Sequence, residues 1–166
     1  MGPEALERAF GHADRDIHNT IDRPALVVAL MTELQPGDLN LVRRLILFEM
    51  DRIRDEGSGT SEVLIACCWL LFRGGDPSDA SLVWQAKTLN FDTSCMIDSA
   101  LLAPAGTEAT LALALSLGFT ALADHMESQA GAELDQDITH WRKGTYWGDI
   151  PAADAPREEL AGWINS

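Results

Sequence analysis

The chain is short of cysteine, of positive charge and of long apolar runs, and each shortage removes a class of explanation. Its three cysteines are Cys67, Cys68 and Cys95, an odd number with two of them adjacent, which does not fit a secreted disulfide framework. Within "IACCWLLF" the first two read as small buried hydrophobes. No apolar stretch approaches the roughly 20 residues that span a bilayer, because Arg43, Arg44, Glu49, Glu62 and Arg73 interrupt the candidates. The opening "MGPEALERAF" carries acidic residues where a signal peptide needs basic ones, and it has no Ser or Thr at position 6 for myristoylation. A cytoplasmic protein without a membrane partner is expected.

Lys and Arg number 12 against 26 Asp and Glu, a formal net charge of -14, so nucleic acid and anionic membranes should be repelled. The shortage is local as well as global. Between residues 88 and 141 there is no Lys or Arg, whereas Asp92, Asp98, Glu108, Asp124, Glu127, Glu133, Asp135 and Asp137 all fall there. Solubility alone explains such a surface; an acidic face that steers a basic protein partner explains it too. Also missing are G-x-S-x-G, P-loop and G-x-G-x-x-G patterns. The H-x-E of "DHMESQ" has no P-C-x-x-C half and is not H-E-x-x-H, so neither a zinc deaminase nor a metalloprotease is indicated. "HADRDIH" sets His12, Asp14, Asp16 and His18 at alternating positions, but the spacing matches no standard zinc site. No metal or cofactor is expected.

What is present is helical period nearly throughout, without the alternation that strands require. The 166 residues are enough for one α-helical domain. A short helix is expected in "PEALERAF", within a partly irregular segment 1–23. Further helices are expected over 24–34, behind Pro24; over 39–56, capped by Asp38; and over 61–73, apolar enough to be central and stopped by Gly74-Gly75. Asp76-Pro77 opens one over 77–89, and another runs from Asp92 to just before Pro104. The rest lie over 107–117, 120–130 and 132–143, followed by an irregular tail, 144–166, with a short helix in "REELAGWIN". Helices of this length joined by short turns describe stacked antiparallel hairpins, a HEAT-like α-α array, with a compact helical bundle as the alternative.

The least generic run is "WQAKTLNFDTSCMID". Structurally, Asp92 or Thr93 caps a helix and Asn90 shapes the turn before it. Asp98, inside the expected helix on a segment poor in charge, is left unexplained; buried, it would need a partner such as Lys87 or a hydroxyl. A catalytic reading makes Asp92 and Asp98 acid and base with Cys95 between them, joined by His125 or His140. "HWRKGTYWGD" adds Trp141, Tyr146 and Trp147, which either pin the tail to the body or form a recognition edge.

The run W-x-A-K-x-x-N-F-D-T-x-C-x-I-D from Trp84 to Asp98, followed by "LLAPAG", resembles small bacterial HEAT-like or armadillo-like helical proteins of unassigned role, over the middle third of the chain. The resemblance implies an all-α fold and no particular activity. By analogy of fold and charge, immunity proteins against secreted toxins are similar. Two functions are therefore expected to compete. One is an acidic binding module, immunity-like or antitoxin-like, that docks a basic protein through Trp84, Asn90, Asp124, Glu127, Asp135, Asp137, Trp141, Tyr146 and Trp147. The other is a small helical enzyme that holds an organic small-molecule ligand between helices and uses Asp92, Asp98, His125 and His140.

Overall fold

Ten consecutive residues, Val63 through Phe72, are buried, so the helix that carries them is covered on every side. The computed structural model describes residues 22–144, 150–152 and 154–166. Among these there are nine α-helices and no strand: α1 (Arg23–Thr32), α2 (Leu39–Glu56), α3 (Glu62–Gly74), α4 (Ala80–Lys87), α5 (Phe91–Met96), α6 (Thr107–Leu117), α7 (Thr120–Gln129), α8 (Ala132–Lys143) and α9 (Arg157–Ile164). Three 3-10 turns, Pro36–Asp38, Pro77–Asp79 and Ser99–Leu102, join some of them. The fold is all-α. The helix expected in "PEALERAF" and the His12 to His18 cluster lie outside the described residues, as do Tyr146 and Trp147.

The central helix, α3, starts where Ser61 accepts a hydrogen bond from the Leu64 amide, and stops at Gly75, whose φ of 77° is the left-handed conformation that favours glycine. Around it pack α1, α2, α9 and the Ser99–Leu102 turn. Helix α2 is amphipathic. It buries Leu41, Val42, Leu45, Ile46, Met50 and Ile53 at intervals of three and four, and each fully buried Leu or Ile contributes about 1.5–3 kcal/mol. Helix α1 begins behind Asp22, which accepts from the Ala25 amide, and buries every residue from Leu26 to Met31. Helices α6 and α7 pack on each other, and α8 packs on the Ser99–Leu102 turn.

Polar ties brace this half of the molecule. Glu49 is buried on α2 and accepts from Arg23 Nε at 2.8 Å, from Arg52 Nε at 3.2 Å and from Ser61 Oγ at 3.0 Å, linking α1, α2 and the start of α3. Arg43 grips buried Asp79 with two bonds, Nε to Oδ1 at 2.7 Å and Nη2 to Oδ2 at 3.0 Å. This bidentate pair holds the Arg43 guanidinium above its ordinary range.

Several local expectations need correction. Asp38 sits before α2 but does not cap it with its side chain; it accepts from the Gln35 amide at 2.8 Å and closes the preceding turn. The helix expected over 77–89 is a 3-10 turn followed by α4, which ends at Lys87. The helix expected from Asp92 to Pro104 is two pieces: α5 ends at Met96, Ile97 is extended, and Asp98 begins a separate 3-10 turn.

Candidate functional site

The interruption after Met96 builds the most developed site in the molecule. Asn90, rather than Asp92 or Thr93, caps α5: its side chain accepts from the Thr93 amide at 2.8 Å while Thr93 Oγ1 accepts from the Asn90 amide at 3.1 Å. Asn90 Nδ2 also donates to the Gly59 carbonyl at 2.8 Å, and Asp92 accepts from the Gly59 amide at 3.0 Å. The start of α5 is thereby fastened to the loop between α2 and α3. Both residues are structural in this arrangement.

At the other end of α5, Lys87 does what the sequence does not announce. Its side chain is buried, and Nζ donates to the Ser94 and Ile97 carbonyls, each at 2.6 Å. Burial pushes its pKa down, opposed by the nearby Asp98 charge and, to a lesser degree, by Cys95. The ammonium satisfies carbonyls at the end of α5 and lets the chain leave the helix without stranding them. Asp98 then caps the next turn, accepting from the Ala100 amide at 2.8 Å and from Trp141 Nε1 at 3.1 Å. Those two partners, and not a direct bond from Lys87 or a hydroxyl, account for it. Trp141 is buried on α8 and meets the Trp69 ring of α3 edge-on, with centroids 6.1 Å apart, so it joins Asp98 to the central helix.

A cleft of about 470 Å³ opens along this segment, lined by Lys87, Cys95, Asp98, Ser99, Asp137 and Trp141 among others. Its walls mix charge with carbon: Met96, Ile97 and Ile150 contribute apolar surface, and Glu133 a further carboxylate. Asp137 has its pKa raised, first by burial and then by the negative charges of Asp98 and Glu133. Among the described lining residues Lys87 is the one cation, so the cleft carries excess negative charge.

Beside it, Ser99 Oγ and His125 Nε2 lie 2.9 Å apart. The Trp84 ring packs on the imidazole, with centroids 4.8 Å apart and planes tilted by 43°. Burial and then the Lys87 charge push the His125 pKa down, which keeps the ring neutral at physiological pH.

The expected site residues therefore divide. Asp98, Asp137 and Trp141 meet in the cleft, and His125 and Trp84 stand behind Ser99. Asp92 does not join Asp98: it is exposed and bound to Gly59, so the expected acid and base pair is not assembled. His140 is half-buried on α8 and does not line the cleft. Asp124, Glu127 and Asp135 are exposed on α7 and α8. Cys67 and Cys68 are buried, and burial pushes Cys68 up to about 12 and Cys67 well above the ordinary thiol range, so neither is a nucleophile. No group of three potential ligands able to hold a metal ion occurs among the described residues.

Lys87 and Ser99 escaped the sequence reading as site residues. Lysine at the end of a helix ordinarily reads as a solvated charge, and the partner of Ser99 is 26 residues away. Comparison with protein-family models, with curated proteins and with solved structures finds no match to the chain.

Proposed function

We propose that the protein is an acidic helical binding module that docks a basic protein partner, with immunity-like or antitoxin-like neutralisation of that partner as one concrete form. The observation that carries this reading is the unequal distribution of ion pairs. Every ion pair between described residues uses Arg23, Arg43, Arg52 or Arg54, all on α1 and α2. The carboxylates of α7 and α8, Asp124, Glu127, Glu133 and Asp135, are exposed and belong to none of them. No described residue forms an ion pair with them, which leaves a field to attract and orient a cationic surface.

Apolar side chains lie close by in the chain. Leu115, Leu117 and Phe119, 58%, 57% and 43% exposed, surround the turn between α6 and α7. Exposed apolar side chains combined with charges of one sign are what a docking face uses. The acidic cleft, with Trp141 in its wall, suits the stem and head of an arginine or lysine.

The test compares two variants of equal charge. One neutralises Asp124, Glu127, Glu133 and Asp135; the other neutralises the exposed Glu33, Asp55, Glu158 and Glu159. Binding of a nine-residue oligoarginine peptide is measured by calorimetry across a salt series. The first variant is expected to lose about tenfold or more in affinity at low salt, with a flatter salt dependence, and the second less than about threefold. Equal losses would mean that only total charge matters, and would remove the case for a docking face.

A further inference from the structure

We propose that Ser99 is a nucleophile with His125 as its general base, and that the cleft beside them hydrolyses carboxylic esters that carry a cationic group. It shares ground with the docking face, since His125 lies on α7 and the cleft-lining Glu133 on α8, but it does not need that face to bind a protein; four observations carry it.

The first is the 2.9 Å approach of Ser99 Oγ to His125 Nε2, within the reach that activates a serine hydroxyl. With the imidazole proton on Nδ1, Nε2 accepts the hydroxyl proton. The second is that both members are held. Ser99 opens the 3-10 turn whose start is fixed by Asp98 and, through it, by Trp141; the His125 ring packs against Trp84. Here an aromatic face, in place of a carboxylate, orients the base. The third is that Ser99 lies in the wall of a cavity of about 470 Å³, open to a small ligand, while neighbouring residues of the same turn, Ala100, Leu101 and Leu102, are buried.

The fourth is the charge of the cleft. Lys87 spends two of its three N–H groups on the Ser94 and Ile97 carbonyls and still lines the cavity, as a cation near His125 and Asp98. Its field stabilises the oxyanion that forms when the carbonyl is attacked. The titratable groups of the cleft that Ser99 lines are Lys87 on α4, Cys95 on α5, Asp98 at the start of the turn, and Glu133 and Asp137 on α8. Three carboxylates against one ammonium favour a positively charged substrate and disfavour an anionic one.

The chemistry closes without an absent reagent. Ser99 Oγ adds to the ester carbonyl carbon as its proton passes to His125 Nε2; the carbon–oxygen bond to the alcohol breaks, and the imidazolium returns the proton to the departing alkoxide. Water, deprotonated by the same nitrogen, then adds to the acyl carbon; the bond from that carbon to Ser99 Oγ breaks, the acid is released, and the imidazolium returns its proton to Oγ to restore the hydroxyl.

A fluorophosphonate probe tests this on the unmodified protein. Ser99 Oγ should displace fluoride from phosphorus, and peptide mapping by mass spectrometry should place the adduct on Ser99. His125→Asn, checked for native helicity by circular dichroism, should slow labelling about 100-fold or more. The rate on the wild type should rise with pH to a plateau, with a midpoint below the ordinary histidine value. Hydrolysis of a p-nitrophenyl ester bearing a trimethylammonium group should exceed that of a carboxylate-bearing analogue at least tenfold. An adduct elsewhere, no adduct, or labelling indifferent to His125→Asn overturns the proposal. A preference for the anionic ester overturns the substrate class.

Discussion

Replacing Lys87 with methionine tests whether one buried ammonium sets the shape of the cleft. Methionine keeps most of the aliphatic stem, so the loss of packing is small. What disappears is a pair of charge-assisted hydrogen bonds to the Ser94 and Ile97 carbonyls, each at 2.6 Å. Each acceptor left without a partner in a buried setting costs about 1–3 kcal/mol. Against this, the ammonium no longer has to be desolvated, a penalty visible in the downward push that burial gives its pKa. The balance is a net destabilisation of about 2–4 kcal/mol, measured by urea unfolding at 25 °C. For a chain of this size Tm should fall by about 5–15 °C. Hydrogen exchange should locate the effect: the amides of Ile97 and Ala100, which donate to Thr93 O and Asp98 Oδ1, should lose protection before those of α3. A loss below about 0.5 kcal/mol, a stabilisation, or uniform change in exchange would refute the idea that Lys87 holds the interruption after Met96 in place.

The other predictions probe different ties. Glu49→Gln removes the charge that Arg23, Arg52 and Ser61 share on buried Glu49, and should cost about 2–4 kcal/mol in urea unfolding, softened because both arginines can reach water. Asn90→Ala deletes the α5 cap and its bond to Gly59, for a loss of about 1–2 kcal/mol by the same assay; a neutral result would deny the cap its role. The His125 pKa is lowered in the folded state, so its contribution is present above the ordinary value of 6.5 and is lost as pH falls through that value toward the folded one. Tm should therefore decline between pH 7 and pH 5 more steeply in the wild type than in His125→Asn. Asp137→Asn relieves the repulsion from Asp98 and Glu133, and should hold or raise stability by about 0.2–0.5 kcal/mol while weakening binding of a cationic ligand.

Much of the scaffold is legible in the residues themselves. The apolar spacing and flanking signals of "LNLVRRLILFEMDRIRDE" give α2 its observed limits, Leu39 to Glu56, and the glycines at 75, 118 and 144 end their helices in the left-handed conformation. The stretch from Asp92 to Pro104 misleads because its composition suits one continuous helix. Two facts decide otherwise, one local and one reaching in from a neighbouring helix. Asp98 uses its own carboxylate to capture the Ala100 amide, a bond that competes with continuing the helix. Lys87 satisfies the Ser94 and Ile97 carbonyls from another helix, which removes the cost of stopping at Met96. The site follows the same pattern: Asp98 draws attention by being a charge on an apolar segment, but its partner Trp141 is 43 residues away and nothing near Ser99 announces His125.

The two halves of the molecule treat charge in opposite ways, and the difference bears on function. On α1 and α2, arginines meet buried carboxylates such as Glu49 and Asp79, so charge there is consumed in holding helices together. On α7 and α8, Glu133 and Asp137 stand one helical turn apart and raise the cost of ionising Asp137. A sequence selected for stability alone would place a lysine at one of these positions. Keeping both carboxylates costs a few tenths of a kcal/mol, and an incoming cation recovers that cost by relieving the repulsion. An arginine of a protein partner and the cationic end of a small ester would relieve it alike. The two readings part company at the Ser99–His125 pair: docking is indifferent to the Ser99 hydroxyl, while acyl transfer stops without it. Ser99→Ala should therefore leave oligoarginine binding unchanged within about twofold and abolish ester turnover, and a parallel loss of both would mean that the substitution had disturbed the turn rather than the chemistry.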